Sequence, residues 1–371
     1  MRLLVLLLLL ALPAHAGRKR APDADAPEEA PAARAPRAKA PFPDTLPVDL
    51  GPLPDGLANA SAQACHACHP AVTEAWRGSA HARGVTPALA EAARAAGSPA
   101  CLSCHLPLRQ QHARDLLGSS RDPLVEVGPP NPAWSPTLQL EGVTCAACHV
   151  RRGAVVGASP TRPAPHTTAW TDALGSPEAC ATCHQLTWPG ATQPFYDTYG
   201  EWQGSPWAAA GVTCQDCHMG ADVSGHRSHA VTADLRRALS VLVGVGAPAV
   251  VRGGAPVALS VTLQNTGAGH HLPSGSPYTS LEVWAVLERQ GERRVILQER
   301  LGQTVGDAPP WPILADTRIP AGESRRLDAS LALDQGDPAD GWALVVEVVR
   351  STDGALDGAA SLVQRLPLVV E

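Results

Sequence analysis

The chain has 371 residues, 44 % of them hydrophobic, and a formal net charge of −6. That balance offers no basic surplus of the kind nucleic-acid binding needs. The long apolar run at the start covers only about ten residues, short of the roughly 20 that span a bilayer, so no membrane helix is expected.

Taken in order, residues 1–16 carry one positive charge (Arg2), that apolar run, and the Ala14-His15-Ala16 triplet, the pattern of a secretory signal peptide cleaved after Ala16. The mature protein is therefore expected to be exported, periplasmic or secreted. A bacterial lipid anchor would need a cysteine just after the cleavage point, and the first is Cys65. Residues 17–60 are rich in Ala and Pro with charges of both signs, a composition expected to remain a disordered linker. The remainder is long enough for two domains.

All ten cysteines of the chain fall in one pentapeptide frame between residues 61 and 235. The five motifs, I to V, are Cys65-His66-Ala67-Cys68-His69, Cys101-Leu102-Ser103-Cys104-His105, Cys145-Ala146-Ala147-Cys148-His149, Cys180-Ala181-Thr182-Cys183-His184 and Cys214-Gln215-Asp216-Cys217-His218. C-x-x-C-H is the attachment signature of c-type haem. Given five C-x-x-C pairs, chance places a histidine after every one with a probability on the order of 10⁻⁷. Two thiols three apart share one side of a helical turn, where they can add to two porphyrin vinyl groups while the following histidine reaches the iron. Five disulfides would suit export but leave the histidines unexplained. Structural zinc pairs two C-x-x-C units, and five leaves one unmatched. Five covalent haems are thus expected, ligated from one side by His69, His105, His149, His184 and His218.

Five porphyrins in about 175 residues leave little protein for each. The haems are expected to form the core themselves, packed against Trp76, Trp134, Trp170, Trp188, Trp202 and Trp207 amid short helices that begin near the motifs. An internal repeat is visible: "WRGSAHA" (76–82) matches "WQGSPWA" (202–208), and "GVTCAACHV" (142–150) matches "GVTCQDCHM" (211–219). In the second copy Trp207 stands where the first has His81. If His81 is a ligand, its counterpart has lost that role and another residue must serve.

The opposite face of each iron decides its function, since a second strong ligand makes a carrier and an open face admits substrate. Methionine can almost be excluded: Met1 belongs to the signal, Met219 adjoins His218 and cannot reach the far face of the same haem, and one methionine cannot serve five irons. The remaining histidines are His66, His81, His112, His166, His226, His229, His270 and His271, enough for mostly bis-histidine sites. His66 lies inside an attachment loop. His81 follows a Pro70-started helical stretch, His112 sits in a polar run, and His166 follows Pro165. His226 and His229 are three apart, and His229 is preferred.

From about residue 238 the cysteines stop and the period becomes two. Val257, Leu259, Val261 and Leu263 alternate with polar or small neighbours, as do Leu327, Ala329, Leu331 and Leu333, and Trp342, Leu344, Val346 and Val348. Strands near 239–245, 256–265, 280–289, 293–300, 324–333, 342–350 and 361–370 fit an all-β immunoglobulin-like sandwich over 238–371, with Pro367 marking an edge strand. The fold class is thus multidomain, a mainly α or irregular haem domain followed by that sandwich. "NTGAGHHLPSG" (265–275) ends the second strand. Gly267 and Gly269 would let its backbone approach a porphyrin, Pro273 would stiffen the exit, and a histidine could project onto a haem of the other domain.

The ordered set "CHACHPAVTEAWRGSAHA", "CLSCHLP", "GVTCAACHV", "CATCHQ", "YDTYGEWQGSPWAAAGVTCQDCHM", "RSHA" and "NTGAGHHLPSG" resembles exported multihaem cytochromes c of the cytochrome c-554 type over roughly 61–275. The resemblance implies distal ligands at His81, His229 and His270. The chain departs from it in having five motifs where the namesake type has four haems, and in Trp207. The reading that follows is an electron carrier working between redox proteins as donor and acceptor, with docking through the β domain compatible with it. The alternative is an oxidoreductase with one five-coordinate haem acting on a small nitrogen compound such as nitrite, hydroxylamine or nitric oxide. Against the alternative stand the lack of a C-x-x-C-K variant and the plentiful histidines.

Overall fold

A computed structural model describes residues 46–85, 100–118, 126–160, 164–223, 225–247, 249–308, 310–352 and 354–371, all within one compact unit. The signal peptide expected over 1–16 and the first part, 17–45, of the linker expected over 17–60 lie outside the described residues. Among those residues no helix is long and apolar enough to cross a membrane.

The motif region is built of short elements: α1 (Ala62–His66), α2 (Pro70–Arg77), α3 (Ala100–His105), β1 (Arg114–Leu117), β2 (Glu126–Pro130), α4 (Cys145–His149), β3 (Val150–Arg151), β4 (Ala154–Gly157), β5 (Thr168–Trp170), α5 (Glu178–His184), α6 (Thr198–Gln203), α7 (Pro206–Ala209), α8 (Cys214–His218) and α9 (Leu235–Ala238). Motifs III and V are themselves helices. Motifs II and IV end theirs, and motif I runs from α1 to His69, the residue that precedes Pro70 at the start of α2. None is long enough to be stable alone in water.

The linker expectation is corrected over 46–60. Leu46, Val48 and Leu50 are buried in one cluster with Leu108, Leu138, Ala146, Ala147 and Val150 around motif III. The strap is tied by backbone: Val48 N–H donates to Pro107 O (2.7 Å), Arg109 N–H to Val48 O (2.8 Å) and Thr167 N–H to Asp55 O (3.1 Å). Leu46-Pro-Val48-Asp-Leu50 is a short period-two apolar run whose neighbours' Ala and Pro content hid it.

The second region is a two-layer β sandwich. β6 (Leu239–Val245), β7 (Val257–Asn265), β8 (Thr279–Arg289), β9 (Glu292–Val305), β11 (Ser324–Leu331), β12 (Ala343–Thr352) and β13 (Ala355–Pro367) correspond to the seven expected strands, and β10 (Ile313–Asp316) is an additional short one. The sheets run β10-β9-β8-β12-β13 and β11-β7-β6. β13, which ends in Pro367, is an edge strand, where a missing N–H costs nothing. The alternation read in β7 holds: Leu259, Val261 and Leu263 are at most 1 % exposed and meet Leu281, Val283, Leu344 and Val346 of the other sheet in one core.

The two regions touch through aromatic side chains. Trp188 lies 5.6 Å from Trp311, and Phe195 lies 6.0 Å from Trp311 and 6.3 Å from Tyr278, measured between ring centres. Edge-on and tilted pairs at such spacing are favourable.

Candidate metal centres

Three motif histidines face a histidine from elsewhere in the chain. His184 of α5 faces His81 at 6.3 Å between ring centres, His149 of α4 faces His229 at 6.0 Å, and His218 of α8 faces His270 at 6.1 Å with the two ring planes only 11° apart. An imidazole nitrogen sits about 2 Å from a first-row metal ion, with its ring centre about 1 Å behind, so two imidazoles across one ion have centres roughly 6 Å apart. Each pair has that spacing.

The ring nitrogens are assigned by their outer partners. The Nδ1 atoms of His149, His218, His229 and His270 meet the carbonyl oxygens of Val156 (2.7 Å), Thr232 (2.8 Å), Arg227 (3.0 Å) and His271 (2.9 Å). Nδ1–H donated to a carbonyl fixes the tautomer that leaves Nε2 as ligand, the usual outer-shell arrangement of metal-bound histidine. Nδ1 of His105 meets Gly84 O in the same way. Burial pushes His81, His149, His229 and His270 down from the ordinary histidine range. His184 is exposed as a residue, yet the protein crowded about its ring, with His81 next, pushes it down to about 4. The direction in each case favours the neutral imidazole that binds metal.

The other candidates sit differently. His226 is exposed while His229 is partly buried and paired. His271 lies beside the Glu201 carboxylate, Nδ1 to Oε1 3.7 Å, and it is His270 that faces His218. His66 Nδ1 is 3.5 Å from Glu74 Oε1. His112 is buried with its Nε2 meeting Leu106 O (2.7 Å). His166 is partly buried and its Nδ1 has no hydrogen-bond partner. His69 is exposed, beside the start of α2.

The ten cysteines are free thiols, and their contacts run between motifs. The thiols of Cys65 and Cys145, of Cys104 and Cys183, and of Cys180 and Cys214 lie next to each other. Motif I thus abuts III, II abuts IV, and IV abuts V.

The internal repeat is also a repeat of structure. Trp76 Nε1 donates to Val143 O (2.8 Å) and Trp202 Nε1 to Val212 O (2.9 Å), each valine standing two residues before a motif cysteine. Val143 N–H donates to His81 O and Val212 N–H to Trp207 O, both at 2.9 Å. Ser79 and Ser205 accept from the N–H three residues on. Where the copies diverge, His81 faces His184, while Trp207 packs beside Gly269 in the turn that carries His270.

Glycine in that turn has another purpose than the one expected. A Cβ on Gly267 would fall on the carbonyl of Arg237, and one on Gly269 would lie 3.2–3.3 Å from Trp202 and Trp207. These glycines let the turn approach α6, α7 and α9 rather than a porphyrin. Asn265, fully buried, holds the turn's shape by donating to His270 O (2.8 Å) and Ile319 O (3.1 Å) while accepting from Ala268 N–H. The expectation that six tryptophans surround the cofactors is likewise narrowed: Trp188 and Trp207 serve the contact between regions, and Trp134 is 40 % exposed.

Glu201, Ser274 and Arg318 were not singled out from the sequence. The Glu201 carboxylate accepts from Arg318 Nη1 (2.6 Å), Ser274 Oγ (2.6 Å) and His271 N–H (3.1 Å). Aligning the two repeat copies would have flagged Glu201, because Ala75 holds its place in the first.

The residues fit haem. Two opposed imidazoles supply two positions of an octahedral ion and leave four for a macrocycle, and among the described residues no three His, Cys, Asp or Glu side chains gather as a metal site of their own. Buried polar atoms without hydrogen-bond partners need an explanation, and Ser103 Oγ, Trp188 Nε1, Gln215 Oε1 and His166 Nδ1 are of this kind, within the motif region.

No protein-family model matches the chain, and no curated protein matches it. Among solved structures it is similar to a penta-heme cytochrome c552 from Thermochromatium tepidum, with a TM-score of 0.58 and 19 % identity over 84 % of this chain and 100 % of that chain. Neither region alone makes up such a share, so the common fold takes in both. Spo0M from Bacillus subtilis (TM-score 0.20, 14 % identity, 36 % of this chain and 49 % of that) and a Niemann-Pick type C2 protein from Japanese carpenter ant (0.21, 8 %, 36 % and 89 %) are far weaker similarities and bear on neither fold nor function.

Proposed function

We propose that the chain is an exported multihaem c-type cytochrome that carries electrons between redox proteins, with five haems bound covalently through Cys65 and Cys68, Cys101 and Cys104, Cys145 and Cys148, Cys180 and Cys183, and Cys214 and Cys217. The observation that carries the reading is the set of three opposed imidazole pairs, each joining a motif histidine to a distant one at the span of one metal ion. Haem iron held between two such imidazoles exchanges one electron between ferric and ferrous states at low potential.

The chain's own residues hold the sites. His184 with His81, His149 with His229 and His218 with His270 would be the imidazole pairs that hold the irons of motifs IV, III and V. Carbonyl partners on Nδ1 keep those rings from turning and raise their basicity. His166, with a buried nitrogen that has no protein partner, and His112, buried beside motif II, serve the irons of motifs I and II. The motifs' cysteines approach one another from I to III, II to IV and IV to V, so haems bound there would lie near their neighbours. The similarity to a penta-heme cytochrome c552 agrees with five such sites.

Pyridine haemochrome titration with mass spectrometry of the purified exported protein tests the attachment. Five haems and no alkylatable thiol are expected, and fewer haems with free thiols would end the reading. Carbon monoxide added to the reduced protein then tests the axial positions. No spectral shift is expected of a carrier, whereas binding at one haem would move the assignment to the oxidoreductase alternative.

A further inference from the structure

The turn that delivers His270 belongs to the sandwich, whereas His218 belongs to the motif region. Something must hold the two imidazoles in line across that boundary. Glu201 of α6 is at the right place: its side chain is 1 % exposed and its two oxygens accept from three groups of the sandwich, Arg318 Nη1, Ser274 Oγ and the His271 N–H next to His270. Arg318, itself 7 % exposed in its side chain, is braced from the other side by Asp316, Nη2 to Oδ2 2.7 Å. Thr198, also on α6, shares a 2.8 Å hydrogen bond with Ser274.

The repeat says why a carboxylate stands there. In the first copy the equivalent residue is Ala75, and the copy supplies a distal imidazole from its own helix end, His81. In the second copy that imidazole has become Trp207, on which Gly269 rests, and the alanine has become a buried glutamate. The two differences occur together on the one surface that receives the His270 turn. A buried carboxylate is costly unless its oxygens are satisfied, and here two of the three donors, His271 N–H and Ser274 Oγ, come from the turn to be seated, while the third, Arg318, comes from the sandwich beside it.

We infer that Glu201 is the positioning residue of the motif V iron: it seats the 265–275 turn so that His270 reaches across from His218, and Trp207 is the floor of that seat. The inference rests on the bis-imidazole reading of that iron. Glu201 touches neither ring; it acts through the His271 amide and Ser274, an outer-shell role of the kind that tunes metal sites as strongly as the ligands themselves.

The test uses the full-length haem-loaded protein and four variants: Glu201→Ala, Glu201→Gln, Ser274→Ala and His270→Ala. For Glu201→Ala the haem content stays at five, while the low-spin ferric signal falls by about one haem in five and the reduced protein binds about one carbon monoxide per chain. Added imidazole restores the low-spin signal, which a general loosening of the fold would not allow. Glu201→Gln, which keeps one accepting oxygen, and Ser274→Ala, which removes one donor, open the same haem to a smaller extent. If Glu201→Ala does not accumulate with haem, Ser274→Ala decides the matter. Glu201→Ala or Ser274→Ala proteins that remain wholly low-spin and inert to carbon monoxide, while His270→Ala binds it, would overturn the seat and leave the ligation standing. A His270→Ala protein that is itself wholly low-spin and inert would overturn the ligation, and the seat with it.

Discussion

In the sandwich twenty buried apolar residues drawn from both sheets form one continuous cluster, whereas between residues 46 and 238 burial breaks into separate clusters of nine, three and four. The sandwich is closed by its own side chains, so its sequence period and its packing say the same thing. The described residues of the motif region show no such closure: helices of four to eight residues, three pairs of facing imidazoles and several buried polar atoms without hydrogen-bond partners stand where a single core would be. One half is closed by its own side chains; the other, on the proposed reading, would be closed by its cofactors. The difference teaches that stability and chemistry are joined in the first region and separable in the second.

The largest effect should come from preventing thioether formation. Protein made where haem cannot be attached is expected to lose protected amides throughout the motif region while keeping those of β7, β8 and β12, read by hydrogen exchange. Equal protection in both halves would erase the contrast. Next in size, Leu263→Ala cuts a fully buried side chain from the centre of the sandwich and should cost about 2–5 kcal/mol. It should lower the melting of the β half while the absorbance of the haems of motifs III and IV persists, with the iron facing His270 disturbed.

A smaller and pH-dependent effect belongs to Asp316. Burial alone would raise its pKa, but the hydrogen bonds and charge of Arg318 outweigh it and hold the carboxyl below its usual 3.8. A depressed folded-state pKa contributes stability that is present above the unfolded value and is lost as pH falls through the folded one. Asp316→Asn should therefore cost about 1 kcal/mol at neutral pH, the side chain being one-third exposed. Melting curves of variant and parent should converge below about pH 4. Smallest of all, Arg326→Ala removes an ion pair with Asp328 in which both side chains are 65 % exposed, and melting should change by less than about 0.5 kcal/mol.

What could be read in advance follows the same division. The strands of the sandwich were legible because one buried face imposes alternation, as in Leu259, Val261 and Leu263, and Pro367 placed β13 at an edge. β10 was not, since Ile313-Leu314-Ala315-Asp316 has no alternation and lies between prolines. The five C-x-x-C-H motifs stand out in the sequence because the same residue types recur at fixed spacing, the spacing that thioether attachment would need. The packing of 46–60 was hidden by composition, a property averaged over a window that a three-residue apolar pattern barely changes. For the facing histidines, sequence alone could nominate His81, His229 and His270 but could not match them to motifs, because that match is made by long-range folding. Glu201 escaped notice because a carboxylate buried by another domain looks, in a linear text, like any surface acid.

The stacked pair of His218 and His270 has a consequence for biogenesis. Chains are made from the amino end and their domains generally fold in that order, so Cys214 and Cys217 are made before Asn265. Until the β half has docked, His218 lacks the facing ring of His270, and on the proposed reading an iron held there would stand open to peroxide and other small oxidants. A stalled or clipped product would then betray itself by that reactivity, and the carboxyl half would act as its stopper.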